Sequence, residues 1–169
     1  MDLLPEIENR VSIRKFKDTA IPKESVERIL EAGRLAPSAK NRQPWRFIVI
    51  QDKEKRDKIK TAAFSQEHVG SAPVIIAACT TNVDYAMPNG QISYPIDLSI
   101  ALSYMSLQAV REELGTCFIS TYDEADIKSI LSVPYSMRVV LLLLIGEAAE
   151  TPMRPLRHDT KRVISYDHW

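Results

Sequence analysis

The sequence predicts strands separated by helices and packed as an α/β sandwich in a single domain, and three observations lead there. The first is size: 169 residues against roughly 150 per domain leaves room for one core of ordinary size. The second is composition: 45% apolar and 26% charged residues are usual for a globular chain and exclude wholesale disorder. The third is rhythm: short aliphatic runs bounded by polar residues alternate with stretches of helical period. No internal repeat, low-complexity tract or linker-like stretch divides the chain.

Taken in order, residues 3–11 read as a short helix, followed by an irregular or extended basic segment at 14–18. Pro22 suits a first helical turn, and Val26, Ile29, Leu30 and Gly33 share one helical face. That helix stops near Ala36, because Pro37 disfavours helical geometry before it. Residues 47–50 form a short buried strand, 53–64 a charged surface helix, and 73–79 a second buried strand. Pro88, Asn89 and Gly90 mark a loop over 84–91. Residues 96–114 are helical and apolar on almost every side, so this helix is expected to be buried all round. Such burial is easier in a short chain if a second subunit covers one side. Gly115 is read as the glycine just past the helix end. Residues 116–121 are strand-like, 124–131 a short helix, and 138–145 the strongest strand. The tail, 153–169, is basic and aromatic with no clear period, and the whole chain, 1–169, is one domain.

The charges narrow the function. Lys plus Arg (22) balance Asp plus Glu (22), for a formal net charge of zero. Nothing overall advertises nucleic acid or an anionic membrane, and self-association is unopposed by charge. Cys79 and Cys117 cannot build a disulfide framework. The opening Met1-Asp2-Leu3-Leu4-Pro5-Glu6 lacks a signal peptide's basic-then-apolar order. The longest aliphatic run, 139–145, has seven residues, against about 20 needed to span a bilayer. A soluble cytoplasmic protein is the expectation. No strand is followed by a glycine-rich turn at the required spacing, which removes dinucleotide-fold and P-loop readings. With five glycines in the chain, any phosphate must be bound mostly by side chains.

Two segments carry the chemistry. In Arg10-Val11-Ser12-Ile13-Arg14-Lys15-Phe16 two guanidinium groups flank a hydroxyl at alternating positions. On an extended backbone Arg10, Ser12 and Arg14 point one way and converge on an anion, while Val11 and Ile13 pack inward. Arginine forks match phosphate oxygens, and the hydroxyl adds a donor. The plain alternative is a solvated basic edge. In the second segment, Ala36-Pro37-Ser38-Ala39-Lys40-Asn41-Arg42-Gln43-Pro44-Trp45, prolines and short polar residues form a rigid loop between a helix and a strand, where sites are commonly built. Its alternative is a simple connector with Trp45 plugging the core.

Together these segments resemble the nitroreductase family of flavin enzymes in its short form. Leu114-Gly115-Thr116-Cys117, the late strand ending in Gly146, and the tail from Arg157 to Trp169 extend the resemblance from end to end. It implies an α+β three-layer sandwich, a central, mostly antiparallel sheet flanked by helices, working as an intertwined homodimer whose 153–169 tail wraps the partner. Each interface site holds one non-covalent FMN. By position, Arg10 and Ser12 bind the phosphate and ribityl end, and Arg14 sits by the pyrimidine edge of the ring. Ser38 and Asn41, in the loop opened by Pro37, reach the flavin from the partner chain. Backbone amides near Ser120 and Thr121 face N5 and O4, and Arg157 returns to the phosphate. The implied activity is ping-pong hydride transfer from NADH or NADPH to a small, flat nitroaromatic or quinone-type acceptor. The flavin carries the reaction, so no catalytic side chain is required.

The chain also departs from the family pattern. Ser120-Thr121 stands where longer members carry Glu-Gly and many short ones a glycine. The Asn and Lys that some members place beside the ring before the second strand have no clear counterpart, and Gln66 is read as their substitute. Arg157-His158-Asp159 replaces Arg-Lys-Pro, and the insertion that covers the substrate side of larger members is missing. The Ser120-Thr121 change keeps open a second reading, a flavin-binding carrier or sensor dimer without turnover. A third reading is a dimer whose basic edge is only solvated. Cys79 and Cys117 read as small core residues, His68, His158 and His168 show no metal-ligand spacing, and Asp84, Asp97, Asp123 and Asp126 form no acid/base pair. No metal, nucleic acid or membrane partner is expected.

Overall fold

The structure is a computed structural model and describes residues 2–169. Its centre is a four-stranded sheet in the order β1-β2-β4-β3, made of β1 (Trp45–Ile50), β2 (Val74–Thr80), β3 (Gly115–Ile119) and β4 (Arg138–Gly146). Every neighbouring pair runs antiparallel. Alternation of strands and helices, which by itself suggests an α/β arrangement, here gives α+β instead. The long helix between β2 and β3 crosses to the far edge, and β4 then inserts between them.

Helices cover both faces. On one side α3 (Lys53–Ala62), α4 (Glu67–Ser71) and α6 (Glu124–Leu131) pack over Ile50, Ile75, Ala77, Cys117, Ile119, Leu142 and Leu144. On the other, α2 (Lys23–Arg34) and α5 (Tyr94–Arg111) pack over Val74, Ile76, Ala78, Leu143 and Ile145. With both faces covered, β2 is buried along its whole length. Each fully buried Leu or Ile contributes roughly 1.5–3 kcal/mol. Between Ala78↔Leu141 and Cys79↔Val139 the ladder skips Val140. That extra residue puts Val140 on the α5 side together with Leu141 and returns Val139 to the opposite layer.

Several boundaries differ from the sequence reading. The first helix, α1 (Pro5–Asn9), is shorter than 3–11, because Arg10 already has extended dihedrals (φ −65°, ψ 118°). α3 stops at Ala62 with Phe64 and Ser65 left-handed (φ 56° and 58°). α4 has too few residues to show a period, and the tail holds one helical turn, α7 (Thr160–Val163). α5 starts at Tyr94, with Pro95 in its first turn. Its end corrects the role of Gly115: Glu113 takes the left-handed position (φ 61°), at a steric cost of roughly 1–2 kcal/mol. Leu114 N–H then closes on Ala109 O at 2.8 Å. Gly115 is instead the first residue of β3, and Ile13 occupies the space that its Cβ would need.

α5 is also not buried all round. Leu98, Ala101, Leu102, Met105 and Ala109 are fully covered, while Ile96 (43% exposed) and Tyr104 (42%) face outward. Among the described residues no helix is long and apolar enough to cross a membrane.

Candidate functional site

The first basic segment runs along the β3 edge of the sheet. Ser12 bridges Thr116 in parallel, and Phe16 bridges Ala148. Ile13 N–H donates to Thr116 O, Lys17 N–H to Glu147 O, and Ala149 N–H to Lys15 O, all at 2.8–2.9 Å. Ile13 (4% exposed) and Phe16 (8%) enter the core, and Val11 packs against it. They settle over Gly115 and Gly146, the paired glycines at one end of the β3–β4 ladder. Ile13 and Phe16 thus face inward, while Arg14 is exposed and Arg10 and Ser12 are half-buried, as is Val11; Phe16, two residues on from Arg14, breaks the strict alternation.

These polar side chains are uncommitted. Arg28, Arg34, Arg111 and Arg138 are engaged by carboxylates. Among the described residues no carboxylate lies within salt-bridge reach of the Arg10 or Arg14 guanidinium. Only the Arg14 backbone is held, its N–H donating to Glu150 Oε1 at 2.6 Å. Thr116, the bridge partner of Ser12, is buried and its Oγ1 has no hydrogen-bond partner among the described residues. Burial pushes the Cys117 thiol up, with Arg14 and Arg10 pulling the other way, and the Cys79 thiol is pushed up by burial to about 11. Both are inert core thiols at neutral pH. Burial, helped by the Arg14 charge and opposed by Glu150, lowers His68 below its usual range.

At the far end of β3, Ser120 and Thr121 are exposed. Gln66 Nε2 donates to Thr121 O at 3.0 Å and to Ala63 O at 2.9 Å, so two predicted site residues are joined by their own hydrogen bond. Ser120 opens on a cleft of about 350 Å³ whose wall includes Tyr94, Tyr122, Glu124 and Arg138. Burial pushes Glu124 up, but hydrogen bonds from Arg138, the Val139 N–H and Lys128 outweigh it and hold the carboxyl below its ordinary range. This knot fixes the start of β4 against α6, beside the Ser120–Thr121 turn.

The second segment stands elsewhere. The 36–44 loop leads into β1, at the opposite edge of the sheet from β3. Lys40, Asn41 and Gln43 are left-handed (φ 52°, 53° and 49°), a concentration of strain that is found most often at functional loops. Ser38 Oγ accepts the Gln43 N–H at 2.9 Å, and Gln43 Nε2 donates to Asn41 Oδ1 at 3.2 Å. Arg42 lies 4.0 Å over the Tyr85 ring. Trp45 is half-buried and stacked on Phe47, 6.1 Å between centroids. Within one chain Pro37, Ser38 and Asn41 are therefore placed apart from Arg10, Ser12 and Arg14. Arg157 also stays away: its Nη1 donates to the carbonyls of Pro155 and Leu156, inside an exposed tail.

One residue the sequence reading set aside belongs beside this loop. Asp97, 2% exposed, accepts the Ala39 N–H at 2.8 Å through Oδ1. Its signal in the sequence is an acid in the first turn of an otherwise apolar helix. Searching for acid/base pairs passes over it.

A sequence model of the Nitroreductase family matches residues 7–69 and 61–147. A Methanothermobacter thermautotrophicus protein assigned, by inference, as an NADH dehydrogenase/NAD(P)H nitroreductase is 32% identical over 156 residues, covering 90% of this chain and 80% of that protein. The crystal structure of a nitroreductase family protein from Clostridium difficile 630 superposes with a TM-score of 0.89 at 30% identity, covering 100% of both chains. An FMN-dependent nitroreductase from Clostridium difficile R20291 superposes with a TM-score of 0.82 at 28% identity, covering 97% of this chain and 98% of that one.

Proposed function

The chain belongs to the nitroreductase family, and from that premise we propose that it is an FMN-dependent NAD(P)H oxidoreductase acting as a homodimer on small, flat acceptors. The observation that carries the site assignment is the strip of uncommitted donors on the β3 edge: Arg10, Ser12 and Arg14 on one side of an extended backbone that Ile13 and Phe16 anchor. FMN ends in a phosphate close to a dianion, and the chemistry of this donor set fits such a group. Two guanidinium forks and a hydroxyl supply charge-assisted hydrogen bonds without first breaking an internal ion pair.

When bound, FMN supplies the hydride-accepting and hydride-donating ring system. The chain's own part is binding, orientation and charge. Arg10 and Ser12 hold the phosphate and ribityl end. Arg14 sets a positive charge beside the pyrimidine edge, where negative charge accumulates on reduction. The Gln66 amide fixes the Thr121 carbonyl and so the course of the backbone whose amides face the ring. Ser38 and Asn41 come from the partner copy, which agrees with their place at the other edge of the sheet. Arg157 comes from a tail whose described hydrogen bonds are all internal. That tail carries Met153, Leu156, Tyr166 and Trp169 fully or largely exposed, apolar surface that a partner subunit would cover. The outward side of α5, with Ile96 and Tyr104, offers further exposed apolar surface.

The test is a spectrum and an assay. The purified protein is expected to be yellow or to take up FMN, and to oxidise NADH or NADPH steadily with menadione as acceptor. Bound flavin that neither nicotinamide bleaches points to a carrier or sensor instead. A colourless protein that ignores added FMN overturns the reading.

A further inference from the structure

Asp97 is a carboxylate enclosed almost completely by its own chain, yet only half of it is used. Oδ1 accepts the Ala39 N–H at 2.8 Å, while Oδ2 is buried with no partner among the described residues. A buried oxygen without a hydrogen bond is costly, so a side chain needed only for packing would be apolar. The one contact visible in compensation is the bond to Ala39. That residue opens the single turn 39–41, inside the stretch where three of four consecutive residues, Lys40, Asn41 and Gln43, are left-handed. Such conformations persist only when their surroundings hold them. The other ties of this stretch are local or peripheral: Ser38 Oγ to Gln43 N–H, Gln43 to Asn41, and Lys40 and Arg42 over Tyr85. The exit is held by Thr81 N–H on Pro44 O at 2.9 Å. Asp97 instead stands on the rigid part of the molecule, one turn into α5 and next to Leu98, Ala101 and Leu102, all fully buried.

We propose that Asp97 is the positioning residue of the 38–43 loop, a buried acceptor that fixes the loop through Ala39 and so sets where Ser38 and Asn41 are presented to the cofactor. The second half of this statement rests on the reading that those two side chains meet FMN in the dimer. The first half does not.

Asp97→Ala and Asp97→Asn separate the possibilities. Asn keeps an acceptor for the Ala39 N–H, and Ala removes it. Two quantities are read: FMN affinity by flavin fluorescence, and limited trypsin cleavage after Lys40 and Arg42 relative to cleavage after Lys53 and Lys58. Asp97→Ala is expected to weaken FMN binding about tenfold or more, to speed cleavage at 40 and 42 selectively, and to shift the visible circular dichroism of the bound flavin. Asp97→Asn is expected to restore all three. Equal rates and affinities in Ala and wild type overturn the proposal. So does equal damage in Ala and Asn, or faster cleavage at every site together, the mark of a merely structural loss. Should Asp97→Ala not fold, Ala39→Pro removes the donor of the same bond. Ser38 already has the extended backbone (φ −144°, ψ 159°) that suits a residue before proline. Ala39→Pro is then expected to lower FMN affinity as Asp97→Ala would, and wild-type affinity overturns the proposal. If the wild-type protein binds no FMN, the cofactor reading fails, and selective trypsin sensitivity still decides whether Asp97 anchors the loop.

Discussion

The two ends of the chain are both basic, and they are treated in opposite ways. Residues 10–17 are stitched to β3 and to the segment after β4 by backbone hydrogen bonds, with Ile13 and Phe16 seated in the core. Residues 151–169 are exposed almost throughout, with Leu156 at 98%, and their described hydrogen bonds stay within the tail. The first strip is finished by its own chain and offers its charges outward. The second leaves apolar side chains as well as charges exposed. Under the proposed assignment, one polypeptide fixes half of a phosphate-binding set and leaves the other half to association.

The most severe way to break this comparison is to remove a cation from each end. Arg10→Ala with Arg157→Ala is expected to cost about 3–6 kcal/mol of FMN affinity, at roughly 1.5–3 kcal/mol per lost charged hydrogen bond. Fluorescence quenching titrations measure it. Unchanged affinity rejects the phosphate assignment for both, while a loss carried entirely by Arg10 takes the tail away from the site. Next in size is the tail itself. Deleting residues 151–169 is expected to weaken self-association about 100-fold or more, the equivalent of two large apolar side chains no longer buried. Sedimentation equilibrium reads this directly, and an undiminished dimer means that the tail is a free appendage.

The docked strip is tested through its glycine seat. A Cβ on Gly146 would stand 2.6 Å from Pro73 Cδ and 2.8 Å from Phe16 Cδ1, both ring atoms that cannot swing aside. Gly146→Ala is therefore expected to destabilise by about 1–3 kcal/mol and to lower Tm by roughly 2–4 °C for each of these. FMN affinity should fall with it, because Phe16 carries the strip that bears Arg14. Gly33→Ala faces the flexible Met105 side chain instead and is expected to cost less. Equal melting temperatures for Gly146→Ala and wild type would show that the strip is not seated as described.

Much of this was legible in the sequence, for physical reasons that differ by segment. Burial of Ile13 between half-buried Ser12 and exposed Arg14 needs only extended geometry, and the structure has it. The aliphatic runs marked three strands, and 116–121 the fourth, because each run is bounded by polar or turn residues. Register and neighbour order were not legible: nothing in an aliphatic run says that β4 lies between β2 and β3, or that Val140 is an extra residue. The helix end at Glu113 escaped because a left-handed glutamate carries no mark in the sequence, whereas glycine does, and Gly115 drew the assignment. Asp97 escaped for a related reason. Its partner is a backbone N–H 58 residues away, and no spacing rule looks for one.

The smallest effect is expected away from both ends, where charge is spent inside the fold. Glu112 accepts from Arg28 Nε and Nη2 at 2.6 Å, from Ser25 at 3.0 Å and from Gln108 at 2.9 Å, tying α2 to the end of α5. The Arg28 guanidinium, with Ser25 and Gln108 assisting against burial, holds the Glu112 carboxyl down to about 2. A depressed acid contributes stability that is complete above its ordinary value near 4.5 and lost as pH falls toward 2. With Arg28 half exposed, screening limits the contribution to about 1 kcal/mol. Glu112→Gln is thus expected to melt slightly below wild type at pH 7, with the gap closing between pH 4.5 and 2. A gap that persists at pH 2 assigns the loss to packing rather than charge. If the gap closes as described, acid weakens the α2–α5 junction. FMN retained in Glu112→Gln at pH 7 then shows that the committed arginine and the uncommitted ones serve separate ends.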